Sequence, residues 1–208
     1  MPARWIGLLG VVLALTGAFG WLVAPLDMSD DDARAVAAYY GENRGRILAY
    51  AYAGVVGTTL QLVFFGGLLH LARESERART AARIGFAAMA VEVAGVCIAF
   101  TAFAAAAYRE PEPATAQAVT DLAWLLIDLA AGPCTTVGLM SFGLALAWSG
   151  IGGGPLVAWS AVVAATHLLV AGAFAAEGFL APDGGVALVV PLLFFSWFAA
   201  AGLAVLRR

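Results

Sequence analysis

Residues 84–108 read IGFAAMAVEVAGVCIAFTAFAAAAY, 25 positions that hold one charged side chain, Glu92. As an α-helix such a run extends about 37 Å at ~1.5 Å per residue, enough to cross a hydrocarbon core of about 30 Å. It is continuously apolar and does not alternate between polar and apolar positions, so it predicts a spanning helix and not a strand of a membrane barrel.

Five further runs of the same kind flank it. They cover residues 5–24, 47–71, 119–148, 155–176 and 185–206. The chain as a whole is 62% hydrophobic and 12% charged over 208 residues, with a mean hydropathy of +0.90. A water-soluble domain is about 45–50% apolar and about 25% charged, and a small one has too little interior to hide such an excess. The expected fold is therefore all-α, a polytopic membrane bundle of six transmembrane helices in a single domain, residues 1–208.

The first run follows Arg4 as a secretory signal would. It continues to Ala24 and meets Pro25 where a cleavage site would fall, which predicts a retained helix. Orientation follows from the basic residues. One side receives Arg4, the cluster RESERARTAAR (residues 73–83) and Arg207–Arg208; the other receives Arg34, Arg44, Arg46 and Arg109. Seven arginines against four predict both termini inside, N-in/C-in. All eleven basic residues are Arg, and Ala and Gly abound, a usage that points to a GC-rich bacterial genome and so to the bacterial cytoplasmic membrane.

The loops are short apart from one. Residues 28–46 read MSDDDARAVAAYYGENRGR. Ser29 or Asp30 can cap a helix, Ala33, Val36, Ala37 and Tyr40 form an apolar stripe, and Gly41 and Asn43 supply a stop. This predicts a short amphipathic helix over 29–41, lying on the outer membrane face or acting as a lid. SGIGGGP (149–155) and Pro111–Glu112–Pro113 break the chain between spans, and Gly132–Pro133 predicts a kink within the fourth. Glycines at close spacing, such as Gly54/Gly57 and Gly138/Gly143, are expected at helix-packing faces.

Ionisable residues inside a membrane cost about 2.5–3.5 kcal/mol each on insertion scales and so mark candidate sites. Glu92 falls roughly 12 Å above the inner boundary, and Asp128 and His167 roughly 17 and 18 Å above it, at ~1.5 Å per residue. Gln61 and Ser196 belong to the same middle zone. On the fourth span Gln117, Asp121, Trp124, Asp128 and Thr135 recur at helical spacing, which predicts one polar face running inward from the outer surface. Glu92 and Asp128 are the candidate acid/base pair, with Trp124, His167, Gln61, Asp121 and Ser196 as candidate substrate contacts. The competing structural reading makes each a polar tie between helices.

Several classes are excluded or unsupported. A net charge of −3 with no basic stripe argues against a nucleic-acid partner. Cys97 and Cys134 are too few for a zinc site, and His70 and His167 lie at different depths, against a shared haem. No cofactor or metal is expected. G-x-S-x-G, H-E-x-x-H and P-loop motifs are missing from the sequence.

The stretch Tyr39–Tyr40–Gly41–Glu42–Asn43–Arg44–Gly45–Arg46, with Ser196–Trp197–Phe198 and the terminal Arg207–Arg208, resembles a broad group of uncharacterised six-helix bacterial membrane proteins. The resemblance implies fold and location and carries over no catalytic residue. Three function classes remain open: an enzyme acting on a lipophilic, isoprenoid-like substrate, architecturally akin to small membrane terpene cyclases; a binding or transport protein for a hydrophobic or cationic small molecule; and a structural subunit. The lipid bilayer is the one partner that all three require.

Overall fold

A computed structural model describes residues 1–24, 32–109, 111–171 and 185–208. The described chain is all-α: α1 (Ala3–Leu22), α2 (Ala33–Glu42), α3 (Arg44–Leu71), α4 (Glu76–Arg109), α5 (Pro113–Leu125), α6 (Ala131–Trp148), α7 (Gly153–Ala171) and α8 (Gly185–Leu206). A π-helical turn, Leu126–Ala130, joins α5 to α6 so that 113–148 is one continuous rod. Among the described residues five helices are long and apolar enough to cross a membrane: α1, α3, α4, the α5–α6 rod and α8. The apolar part of α7, Gly153–Leu169, is shorter, and residues 172–176 of the fifth expected span lie outside the described residues.

The exposed faces are apolar. Leu8, Val12, Leu15, Phe19 and Leu22 of α1 are all exposed and recur every three or four residues. Its opposite face buries Ile6, Gly7, Gly10, Leu13 and Ala14. Gly7, Gly10 and Ala14 on the packed face, with large apolar residues turned outward, are what is expected where lipid is the solvent and close backbone approach drives helix association. Gly202 of α8 shows the consequence: a Cβ there would sit 2.7 Å from the carbonyl oxygen of Gly7, so α1 and α8 meet backbone to backbone. Gly7 faces Leu206 and Gly17 faces Phe195, which makes the two helices antiparallel.

Two apolar cores pack at opposite ends of the bundle. One joins Phe64, Phe65, Leu68, Phe142, Trp197 and Phe198. Its rings pack closely, Phe65 and Phe142 stacked with centroids 5.1 Å apart and Phe194 and Phe198 edge to face at 5.0 Å. Trp197 donates its indole N–H to Ser160 Oγ at 2.8 Å. The α3–α4 turn closes this end: Arg208 pairs with Glu74, and the Arg77 guanidinium lies 3.9 Å over the Trp148 ring. The other core gathers Val36, Tyr40, Ile47, Ala99, Phe103 and Ala123.

The short helix ahead of α3 differs from expectation in its boundaries. It runs Ala33–Glu42, and its cap is Asp32, whose carboxylate accepts from the Arg34 N–H at 2.9 Å. Ser29 and Asp30 lie outside the described residues. The apolar stripe turns onto the bundle, with Val36 and Tyr40 fully enclosed in the second core. Asn43 ends α2, and α3 starts at the next residue, a sharper break than a loop. The SGIGGGP turn owes its shape to Gly150 and Gly152, at φ 73° and 72°, where an L side chain would be strained.

Candidate functional site

Between the two cores the helices do not close. The gap follows the chain in register. On α3 it lies between Ile47 of the second core and Phe64 of the first, and on the α5–α6 rod between Ala123 and Leu139. The resulting cavity has a volume of about 320 Å³. Ligand sites commonly start at about 300 Å³ and combine apolar walls with a few convergent polar groups. Here the walls include Leu13, Val96, Phe100, Ile127, Phe194 and Phe195.

Five of the seven candidate residues line this one cavity: Gln61 from α3, Glu92 from α4, Trp124 from α5, Asp128 from the π-turn and His167 from α7. Gln61 and Glu92 are buried, at 8% and 5% exposure, and Asp128 and His167 are half-buried. Gln61 Oε1 and Glu92 Oε2 have no hydrogen-bond partner among the described residues. Buried polar atoms left unpaired cost about 1–3 kcal/mol each, so native interiors rarely keep them without a reason. A polar tie between helices would supply partners, and these two atoms have none among the described residues.

His167 is oriented by its own helix. Its Nδ1 lies 2.8 Å from the Val163 carbonyl oxygen, which can only accept, so Nδ1 carries the proton. Nε2 is then the free acceptor of the neutral ring. Phe194 meets the imidazole edge to face at 5.4 Å. Thr135 and Thr16 also border the cavity, but their hydroxyls donate to the carbonyls of Ala131 and Val12.

Asp128 reaches the cavity from a non-α turn. The Ala131 N–H points to the carbonyl of Leu126, five residues back, which is the π spacing. Pro133 follows two residues later. It has no N–H for the Leu129 carbonyl, and its ring crowds that carbonyl, so the local α pattern cannot run through. The kink expected at Gly132–Pro133 takes the form of this widened turn at Leu126–Ala130.

Asp121 and Ser196, expected with the other five, do not line this cavity. Asp121 is exposed and accepts a hydrogen bond from Gln117 Nε2 at 2.9 Å, one turn beyond the end of the cavity at Trp124. The polar stripe of the fourth span thus divides: Trp124, Asp128 and Thr135 face the cavity, and its two outer members pair with each other. Ser196 bonds the Leu193 carbonyl of its own helix at 2.6 Å. Depth was the signal that suggested Ser196, and depth says nothing about which way a helix is turned.

Tyr50, Thr58, Trp21 and Pro191 line the cavity without having been singled out. Thr58 stands three residues before Gln61, on the same helical face, and Pro191 interrupts α8; both were readable signals. Gly57 corrects the packing expectation. A Cβ there would meet nothing within 4 Å, so this glycine borders open space, whereas Gly138 packs under Met89 and Gly143 against Ser160.

The fold and site define a helical protein with membrane-compatible spans around a central, partly polar cavity. Comparison with known protein families, with curated proteins and with solved structures finds no match.

Proposed function

We propose that the chain is a six-span protein of the bacterial cytoplasmic membrane, with both termini inside, that holds a lipophilic small molecule in this mid-membrane cavity. The observation that carries the reading is the convergence of Gln61, Glu92, Asp128 and His167, from four separate elements, on one apolar-walled space in which two buried oxygens lack partners among the described residues. Chance burial of four polar groups would scatter them among different helix interfaces. The sixth span in this reading is the apolar run 155–176 of the sequence, and the inside face is the one carrying Arg73, Arg77, Arg79 and Arg83.

A second reading, acid/base chemistry on an isoprenoid-like substrate, is favoured by the presence of two carboxyl groups, Glu92 and Asp128, on the same cavity. One would donate a proton and the other accept one, while the apolar walls shield a cationic intermediate.

The test is a mass-spectrometric search for molecules that co-purify with gently solubilised protein, wild type against Asp128→Asn. A specific molecule present with wild type and depleted in the variant supports the cavity as a binding site. Bulk lipid alone in both samples would refute it. If the molecule persists in the variant but its conversion to a product stops, the enzymatic reading replaces simple binding.

A further inference from the structure

Resting on that binding reading, we infer that the cavity is built for a lipophilic organic cation, a protonated amine, rather than for a neutral or anionic lipophile. The polar groups facing it are unequal in kind. Gln61 Oε1, Glu92 Oε2, the Asp128 carboxyl and His167 Nε2 all offer lone pairs. Among the described residues no Arg or Lys lines the space, so no permanently charged base balances its two acids and the imidazole of His167 is the one basic side chain beside them.

Glu92 fixes the sign. It is 5% exposed, has an oxygen with no partner among the described residues and lines the cavity, so a bound group must answer it. An ammonium head brings N–H donors and the missing positive charge together, and the resulting pair is neutral overall. A carboxylate or phosphate ligand would instead meet two acids. The walls suit the same chemistry: Trp21, Tyr50, Phe100 and Trp124 present aromatic rings, whose faces attract cations. A metal ion is the poorer fit, because among the described residues no three His, Cys, Asp or Glu side chains group closely enough to hold one.

The experiment uses three naphthalene probes of similar size: 1-naphthylmethylamine, 1-naphthalenemethanol and 1-naphthoate. Binding is measured by equilibrium dialysis to the full-length protein in nanodiscs, with empty nanodiscs subtracted. The amine is expected to bind at least tenfold more tightly than the alcohol, and the carboxylate not to bind. Glu92→Gln, close in shape but uncharged, is expected to bring the amine down to the level of the alcohol. Where that variant does not fold, Asp128→Asn and the wild-type ratio carry the same comparison.

Equal binding of amine and alcohol, or preference for the carboxylate, would overturn the inference while leaving the cavity a lipophile site. Binding of none of the three above empty nanodiscs would overturn both.

Discussion

The phenol of Tyr40 and the hydroxyl of Thr120, 80 residues apart in sequence, meet at 2.9 Å with both residues almost wholly enclosed. Thr120 directs its single proton to the Ala116 carbonyl at 2.9 Å, so Tyr40 is the donor of the pair. This bond ties α2 to α5 within the second core, at one end of the candidate site.

The two halves of that bond are expected to differ. Tyr40→Phe removes the donor and leaves Thr120 otherwise bonded, for a loss of about 1 kcal/mol. Thr120→Val strands a buried phenolic O–H and should cost more, up to about 3 kcal/mol. Thermal unfolding in detergent, followed by tryptophan fluorescence, measures both. A Tyr40→Phe variant less stable than Thr120→Val would reverse the donor assignment.

Burial pushes the Tyr40 hydroxyl above its ordinary 10.0, against a smaller lowering by its bond to Thr120. The folded chain therefore keeps this proton after the unfolded chain has begun to lose it. Stability from Tyr40 is fully present below pH 10 and declines as pH rises through the folded value. Unfolding midpoints of wild type should fall more steeply above pH 10 than those of Tyr40→Phe; parallel curves would remove the burial effect.

The spans were legible because bilayer thickness sets a length that a run of apolar residues either meets or fails, and Ile84–Tyr108 meets it unaided. What a single helix cannot reveal is its rotation. Glu92 and Gln61 stood out because charge and amide groups are costly at depth, whichever way they turn. Ser196, equally deep, could satisfy itself on the Leu193 carbonyl and needed no partner from another helix. Asp121 shared a face with Asp128 in a straight helix, but the cavity ends between them. The stripe on α2 was correctly apolar, yet amphipathicity alone does not distinguish lipid from α5 as what covers it.

Glycines of the two environments should respond in opposite ways to the same added methyl. Gly202→Ala drives a Cβ against the Gly7 carbonyl, and overpacking of this kind costs about 1–3 kcal/mol. Gly57→Ala meets nothing within 4 Å and gains helix propensity, so its stability should be unchanged or higher by about 0.5 kcal/mol. Gly57→Leu should fold and lose ligand, since the side chain grows into the cavity. Equal destabilisation by Gly202→Ala and Gly57→Ala would contradict the geometry at both positions.

The proposed topology has a direct check by cysteine labelling, with Cys97 and Cys134 first replaced by Ala. Thr80→Cys, exposed beside the arginine cluster, should resist a membrane-impermeant maleimide in intact cells and react after permeabilisation. Glu112→Cys, exposed ahead of α5, should react in intact cells. The reverse pattern would invert the orientation, and labelling of both in intact cells would place the two loops on the same side and break the span count.

Pro133 links backbone chemistry to the site without touching the cavity. It withholds the N–H that an α-helix would direct to the Leu129 carbonyl, and the π-turn that ends three residues before it carries Asp128, which lines the cavity. Pro133→Ala returns that donor and lets α geometry extend through residues 126–130, which turns Asp128 relative to the helices on either side. The variant should be at least as thermally stable as wild type, because a helix-interior proline costs about 3 kcal/mol. Its amine affinity should nevertheless fall, approaching that of Asp128→Asn, although every cavity side chain is still present. Stability gained together with binding lost would separate positioning from general damage, since a misfolded variant loses both. Unchanged affinity would mean that the π-turn does not govern Asp128, and that its place in the cavity is fixed by packing against α4 and α7 instead.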